Sequence, residues 1–387
     1  MAKLGMPEVN IAFKEKGIEA IKRSERGIVA MILEESAEVI EKLLTEHQYE
    51  DETVKAITNP FTIYSTDDIP LELTENNKDY ITKCLIGYVT TPHRIRIYLQ
   101  AKPAGAETSK ADKWQNTLKK MYTDRWDYLV IPTITVAEVE NVYTWVKTNR
   151  ENKHKKVKAV LPNSAADYEG VINVTNASIK TASKTYTTAE FCARVAGIIA
   201  GTPMTIAATY APLPEVIEAD RYDDDENDEK VNKGEFFAFW DGEKYKMSRA
   251  MNSLVTTTEG KLEAYQTIKT VDIMDMIHDD IRKTAQDSYI AKYTNDYDEK
   301  CLLIGAIMGY FKELEKGRLL QKGYSTCEID IEAVKNYLLS TGKYTQDELA
   351  DMSDQELKEA NTKKKVFLKA SISILDSMED IYLPIAI

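Results

Sequence analysis

Few residues in this sequence have the spacing that catalysis requires. The sequence contains four histidines, each isolated from the others: His47, His93, His154 and His278. The adjacent pair Asp279 and Asp280 could supply an acid and a base, but neighbouring residues on a helix point about 100° apart. The common phosphate, dinucleotide, zinc-protease and hydrolase motifs are absent. We therefore predict no catalytic residue and no cofactor, and we interpret His278 as a surface or paired histidine.

An acidic run at residues 222–230 is the best candidate for a metal site. It places three oxygen-bearing side chains at the spacing of a calcium-binding loop. Such a loop needs glycine at its sixth position and glutamate at its twelfth, where this sequence has Asp228 and Gly234. We therefore predict no metal site, and we interpret the run as a solvated linker that marks a domain boundary.

Composition excludes several classes of protein. The chain has 387 residues, of which 43% are hydrophobic, and its net charge of −13 disfavours direct binding to nucleic acid or to anionic membrane. The longest apolar segments, 191–200 and 301–311, are shorter than the roughly 20 residues of a membrane span, and the first residues contain no signal-like apolar run. We expect a protein that folds in a cytoplasm without membrane insertion. We also predict four reduced, buried cysteines: Cys84, Cys192, Cys301 and Cys327.

The first two thirds of the chain alternate between strand and helix patterns. The continuous apolar run Gly27–Leu33 predicts a strand buried on both faces. Further predicted elements are strands at 94–99, 128–131 and 157–161 and helices at 77–87 and 135–147. Two helix starts match the capping box, at Thr135 with Glu138 and at Thr187 with Glu190. In the second of these helices, Ala193, Gly197 and Gly201 recur every four residues, which predicts close packing against another element.

The remaining elements predict a mixed α+β region. Segments 235–240 and 244–247 read as a hairpin that turns at Asp241 and Gly242, and two long helices follow, the second ending at Gly317. The predicted fold class is α/β, with mixed α+β character. The predicted organisation is an N-terminal arm at 1–26, a first strand and connecting segment at 27–80, a central α/β domain at 81–234, a C-terminal α+β domain at 235–363 and a C-terminal strand arm at 364–387.

Both ends of the chain alternate apolar residues in the way that extended strands do. A bare apolar edge would aggregate, so these segments must be covered either by their own domain or by another copy of the chain. Pro384 suits an edge strand or an added strand. We predict an interface between subunits formed by Val9, Ile11, Phe13, Ile18, Ile21, Val366, Leu368, Ile372, Ile374, Ile381, Leu383 and Ile385, with Ala370 and Ile387 in the same pattern.

Three segments, in order along the chain, resemble one protein family. The opening MPEVNIAFKEKGIEAIKRSERGIVAMIL, the segment KMSRAMNSLVT at 246–256, and the helix 272–289 with the segment to 295 are similar to the tail sheath proteins of contractile phages and phage-tail-like bacteriocins of the Gram-positive type. The resemblance implies a sheath-type C-terminal domain and terminal arms that complete sheets in neighbouring copies. It also implies a sheath that surrounds an inner tube and contracts to drive it through a cell envelope.

The same resemblance implies the partners and the location. The partners would be other copies of the chain, the inner tail tube protein, and the baseplate and tail terminator proteins. The protein would be assembled in the bacterial cytoplasm and be part of a phage tail or of an extracellular tail-like particle.

Several alternatives stay open at this stage. Arg249 and Asn252 in the second segment could act near subunit contacts, or they could form a turn or local hydrogen bonds within their own domain. The chain could also be a shell or tube protein that does not contract, or a soluble enzyme that uses the central α/β region.

Overall fold

The computed structural model describes residues 20–49, 52–102 and 113–386. The predicted interface residues Val9, Ile11, Phe13, Ile18 and Ile387 lie outside these ranges, so their roles stay predictions. The chain forms two compact units, a larger one with residues 23–279 and 374–386 and a smaller one with residues 20–22 and 280–373.

The strands of the described chain are β1 Ile28–Glu35, β2 His47–Tyr49, β3 Glu52–Val54, β4 Phe61–Ile63, β5 Arg94–Ala101, β6 Tyr128–Val130, β7 Lys158–Pro162, β8 Val171–Val174, β9 Ser178–Thr181, β10 Thr185–Thr187, β11 Val216–Ala219, β12 Glu235–Phe236, β13 Ala238–Trp240, β14 Tyr245–Met247, β15 Thr326–Ile329 and β16 Leu368–Ser371. Its α-helices are α1 Ala37–Leu44, α2 Glu75–Leu85, α3 Gln115–Met121, α4 Val136–Asn152, α5 Thr188–Ala200, α6 Asp224–Asn232, α7 Ile268–Thr284, α8 Tyr297–Lys316, α9 Ile331–Ser340, α10 Gln346–Asp351 and α11 Asp354–Glu359.

A seven-stranded sheet forms the centre of the larger unit. Its order is β12-β8-β7-β6-β1-β5-β4, and every pairing is parallel except that of β4 with β5. All eight residues of β1 are buried, with Val29, Met31 and Leu33 in one apolar cluster and Ile28, Ala30 and Ile32 in another. Helices therefore cover both faces of this sheet, which confirms the predicted α/β fold and explains the continuous apolar run of β1.

Close packing of helices α2 and α5 confirms the prediction from the small-residue spacing. A Cβ atom on Gly197 would lie 2.1 Å from the carbonyl oxygen of Cys84 in α2, and one on Gly201 would lie 2.1 Å from that of Thr90. Both predicted capping boxes are also present, at the starts of α4 and α5. Local sequence signals thus set both the ends of these helices and the distance at which they pack.

The predicted hairpin forms over a shorter range than expected. Strands β13 and β14 pair across a turn at Asp241 and Gly242, where Gly242 has a φ of 99°. The preceding strand β12 pairs with β8 of the large sheet instead, because the fully buried Phe236 completes the core there. Residues on both sides of the predicted boundary between 234 and 235 belong to the same compact unit.

Two other sequence interpretations also need correction. The sequence predicts a linker at the acidic run 222–230, but most of this run forms the exposed helix α6. Asp223 and Glu226 form a capping box at the start of this helix. Carboxylates at a helix start are favoured by the helix dipole, so an acidic composition does not exclude a helix. The boundary predicted between 80 and 81 falls inside α2 and within the larger unit.

The smaller unit contains helices α8 to α11 and a two-stranded antiparallel sheet formed by β15 and β16. One apolar cluster of this unit contains the buried residues Ile329, Val334, Leu338, Leu349 and Leu357. Helix α8 ends at Gly317, as predicted. This part of the chain has the mixed α+β character that the sequence indicated.

Among the described helices, none has the length and apolarity needed to cross a bilayer. The same ranges contain no group of His, Cys, Asp or Glu placed to hold a metal ion. All four cysteines are free thiols, but only Cys84 and Cys192 are buried. Cys301 is exposed on α8 and Cys327 is half-buried on β15, so the prediction of uniformly buried thiols is wrong for these two.

Candidate assembly site

The C-terminal segment, residues 376–386, is held to the larger unit by polar contacts at its beginning. The Nε of Arg249 lies 3.0 Å from Glu379 Oε2, and its Nη2 lies 2.5 Å from Asp380 Oδ1. Thr209 Oγ1 donates to Glu379 Oε1 at 2.7 Å. Three of the first five residues of the segment are acidic, and two of these carboxylates share one guanidinium.

Two residues in the first turn of α7 complete this set of contacts. Lys269 Nζ donates to Ser377 Oγ at 3.2 Å, and Thr270 Oγ1 donates to Asp376 Oδ1 at 3.0 Å. Burial lowers the pKa of Lys269, and the nearby carboxylates oppose that shift. We call Thr209, Arg249, Lys269 and Thr270 the clamp, because two loops and the first turn of α7 together hold consecutive parts of one segment.

The apolar side chains of the segment beyond the clamp are exposed to solvent. Ile381, Tyr382, Leu383 and Ile385 are 81%, 91%, 75% and 76% exposed, and Met378 within the clamped part is 93% exposed. Residues 381–386 form no strand within this chain. A run of large apolar side chains this exposed is typical of a surface that another molecule covers. Ile381, Leu383 and Ile385, which the sequence predicted at an interface, are therefore free of their own body.

The first half of the predicted C-terminal arm has a different environment. Strand β16 pairs with β15 of the same chain in the register Ile329 with Leu368 to Thr326 with Ser371. Leu368 packs on the core of the smaller unit, whereas Val366 is 44% exposed and Ile372 and Ile374 are partly buried. Leu368 is thus partly buried within its own unit, and its predicted role at an interface between subunits stays a prediction. Ile21 is likewise only 9% exposed in the described structure.

The β15–β16 ribbon leaves backbone groups open at its outer edges. In the described residues no third strand pairs with it. Residues 369–371 are exposed, and the cross-strand pair between Lys369 and Glu328 at 3.1 Å also lies at the surface. The unpaired N–H and C=O groups of such an edge can accept an added strand.

A groove of about 630 Å³ on the smaller unit is lined by residues close to the start of β16. Its walls include Tyr289, Ile290, Leu303 and Val366, and Ile290 is 62% exposed. The ribbon edge and this groove together give the smaller unit both open hydrogen-bonding groups and exposed apolar surface.

The two residues singled out in the segment at 246–256 have different roles. Arg249 binds the C-terminal segment, as described above. Asn252 is 1% exposed, and its side chain donates to Tyr265 O at 2.7 Å and accepts from Leu254 N at 3.0 Å. These contacts favour the local hydrogen-bonding role for Asn252.

A buried ionic network fastens α7 to the amino ends of the central strands. Lys158, at the start of β7, lies 2.9 Å from Asp272 and 2.7 Å from Asp275. Arg150 donates to both carboxylate oxygens of Asp275, at 2.8 and 3.0 Å, and Tyr128 donates to Asp272. This network was not predicted from the sequence. Its visible signal is the three-residue spacing of Asp272 and Asp275 on α7.

The same region contains a second ion-pair cluster around Arg26. Its guanidinium lies 2.9 Å from Asp127 and 2.9 Å from Asp279. The Nδ1 of His278 lies 3.0 Å from the other oxygen of Asp279, which confirms the interpretation of His278 as a paired histidine. Asp280 instead accepts from Tyr310 at 2.7 Å. The two adjacent carboxylates thus have separate partners.

The ionic network keeps Asp275 and Lys158 charged at neutral pH, whereas burial raises the pKa of its other carboxyl group, Asp272. Burial raises the pKa of Asp275, but Lys158 and Arg150 outweigh burial and hold that pKa well below its usual range. Burial lowers the pKa of Lys158, and Asp272 and Asp275 outweigh it, so that this pKa is raised. Neither group titrates near pH 7, so the network is suited to fixing a helix in place rather than to transferring protons.

Comparisons with known proteins agree with a site for assembly. Residues 107–253 match the model of the phage tail sheath protein central domain, and residues 261–387 match that of the phage tail sheath C-terminal domain. The chain is 34% identical over 377 residues to the tail sheath protein of Clostridium phage phiCD119, covering 97% of this chain and 98% of that protein. The chain is therefore a structural protein of the phage-tail class. More narrowly, it belongs to the phage tail sheath family.

Solved structures share the fold. The sheath tail protein from Desulfitobacterium hafniense has a TM-score of 0.65 at 18% identity, covering 84% of this chain and 94% of that one. The anti-feeding prophage helical sheath in its contracted state has a TM-score of 0.66 at 12% identity, covering 99% of both chains.

Proposed function

We propose that this protein is the repeating subunit of a contractile tail sheath that polymerises around an inner tube and drives the tube through a cell envelope. Family membership supports the sheath role. The observation that supports polymerisation is the exposure of the apolar side chains of Ile381, Leu383 and Ile385, each of which is at least 75% exposed. Exposure of such apolar side chains to water is unfavourable in free energy, and burial against another copy removes that cost.

Strand exchange is the proposed link between copies. A terminal segment of one copy adds to an open edge of the β15–β16 ribbon of another, so that main-chain hydrogen bonds give affinity and alternate side chains enter apolar surface. A link of this kind is carried by an extended segment, which leaves the subunit bodies free to rotate during contraction.

The proposed source of work is the lattice itself. An extended lattice relaxes into one that buries more surface between subunits, and the area gained supplies the free energy. The proposed partners are other copies, the inner tail tube protein, and the baseplate and tail terminator proteins. Assembly is proposed to occur in the bacterial cytoplasm, with the product a phage tail or an extracellular tail-like particle.

Removal of residues 381–387 from the full chain tests this function. Residues 381–386 make no strand within the chain, so the truncated protein should fold normally. We expect negative-stain microscopy to show hollow striated cylinders for the intact protein and dispersed subunits for the truncated one. Normal cylinders from the truncated protein would refute strand exchange by this segment. Cylinders of one length under every trigger would indicate a tube that does not contract, and a monomer with a specific small-molecule ligand would indicate an enzyme.

A further inference from the structure

The clamp holds the C-terminal segment by the tips of polar side chains rather than by packing. A cavity of about 530 Å³ lies between the segment and the body, lined by Arg249, Lys269 and the residues 376–380 among others. Met378, the apolar residue of this stretch, is 93% exposed. The position of the segment therefore depends on a few charged and polar contacts.

The body presents these contacts on a preorganised surface. Thr209 Oγ1, which donates to Glu379, also accepts from the backbone N–H of Ala250 at 3.0 Å. The backbone of Ala250 accepts from Ile268 N at 3.1 Å, and Met251 forms a bridge with Thr267. The loop that carries Arg249 is thus tied to the start of α7, which carries the other half of the clamp.

The clamp ends where the exposed apolar residues begin. Asp380 is its last contact, and Ile381 is already 81% exposed. Six extended residues from 381 to 386 reach about 20 Å. Arg249 therefore makes the last clamp contact before the exposed residues.

We propose that Arg249 is a positioning residue for assembly. Its guanidinium group binds both Glu379 and Asp380, so that residues 381–386 leave the body in the direction in which a second copy binds them. This inference rests on the proposed function. Exposed ion pairs add little to fold stability. The pair acts instead on assembly, because it lowers the conformational entropy that the segment loses when it binds another copy. Arginine suits this role because its planar fork can hold two acceptors in a defined geometry.

Charge reversal in the full-length protein tests the proposal. We expect Arg249→Glu to raise the critical concentration for sheath assembly on the order of tenfold, because the segment loses its preorganised direction. Hydrogen exchange at residues 376–383 should become faster, while the thermal midpoint of the unassembled protein stays unchanged. Arg249→Lys keeps the charge but loses the fork, so it should give an intermediate critical concentration.

A compensating variant separates positioning from a general effect of charge. Combining Arg249→Glu with Glu379→Lys and Asp380→Lys should restore assembly and slow exchange. The matched control is Lys180→Glu, which breaks an exposed pair with Glu218, 3.1 Å long, elsewhere on the same unit and should leave assembly unchanged.

The outcomes distinguish this proposal from the one on which it rests. If removal of 381–387 abolishes assembly but Arg249→Glu assembles at the concentration of the unaltered protein, the positioning role is wrong and strand exchange survives. Assembly of Arg249→Glu at a lower concentration would also overturn it, because the clamp would then be restraining the segment. If the truncated protein assembles normally, strand exchange by this segment fails whatever Arg249 does.

Discussion

Replacing the exposed apolar side chains of the C-terminal segment should separate assembly from folding. The variant is the triple substitution Ile381→Ser, Leu383→Ser and Ile385→Ser, which keeps the backbone and its hydrogen bonds. Full burial of a leucine or isoleucine side chain contributes about 1.5–3 kcal/mol. These three side chains are 81%, 75% and 76% exposed in the unassembled chain, so most of that contribution is still available on assembly.

The expected magnitude follows from those fractions. Each side chain can contribute about 1–2 kcal/mol to assembly, and the three together about 3–6 kcal/mol. Because about 1.4 kcal/mol corresponds to a factor of ten, the critical concentration should rise by about 10² to 10⁴. Folding of the unassembled protein should change by less than about 0.5 kcal/mol, because exposed residues contribute little to it.

The assay is sedimentation of assembled sheaths over a range of protein concentrations, with chemical denaturation of the unassembled protein beside it. Val136→Ser is the matched control, since Val136 is 85% exposed on the larger unit and lies outside the segment. Sheaths that form from the triple variant at the unaltered critical concentration would refute the assignment of these side chains to a subunit interface.

Four further substitutions test the fold of the two units. Gly197→Ala should destabilise the larger unit by about 1–3 kcal/mol, because the added Cβ would lie 2.1 Å from a backbone oxygen; Gly309→Ala, with open space around it in α8, should instead stabilise its helix by up to about 1 kcal/mol. Asp275→Asn should cost about 3–5 kcal/mol, since it removes the carboxylate that pairs with both buried cations, Arg150 and Lys158. The pKa of Asp275 is lowered on folding, so its carboxylate stabilises the fold at neutral pH and loses that effect as the pH falls below about 4; the variant should therefore depend less on pH in the acid range. Asn252→Ala should cost about 1–3 kcal/mol, because it leaves a buried N–H and a buried C=O unpaired. Denaturant unfolding measures each change.

These predictions have distinct contrary results. Equal effects of the two glycine substitutions would show that helix propensity, and not close approach, governs Gly197. An unchanged acid dependence in Asp275→Asn would show that this carboxylate does not titrate with unfolding. A neutral Asn252→Ala would mean that water satisfies the two backbone groups.

The sequence predicts the structure best where a feature depends only on residues that are close together in the chain. The run at Gly27–Leu33 is apolar because β1 is buried on both faces, and the capping boxes at Thr135 and Thr187 mark helix starts by contacts within four residues. The glycine spacing in α5 predicted close approach for the same reason. Each of these signals is local, so it can be read without knowing the rest of the chain.

Features that depend on distant partners could not be predicted in this way. Strand β15 has the sequence TCEI, which carries no clear alternation because it pairs at the surface with β16 some 40 positions later. The network around Asp275 joins residues more than 100 positions apart. Alternation at Ile381, Leu383 and Ile385 was visible, but these residues form no strand within the chain, and the sequence cannot show which molecule would provide their partner.

The ends of the large sheet bear on how faithfully copies of this protein add to one another. Its outermost strands are short: β12 has two residues and β4 has three. A stray strand that added at either end could form only a few hydrogen bonds, too few to compensate for the loss of its freedom. In a crowded cell these subunits should therefore rarely associate edge to edge through the large sheet, and assembly errors by that route should be rare.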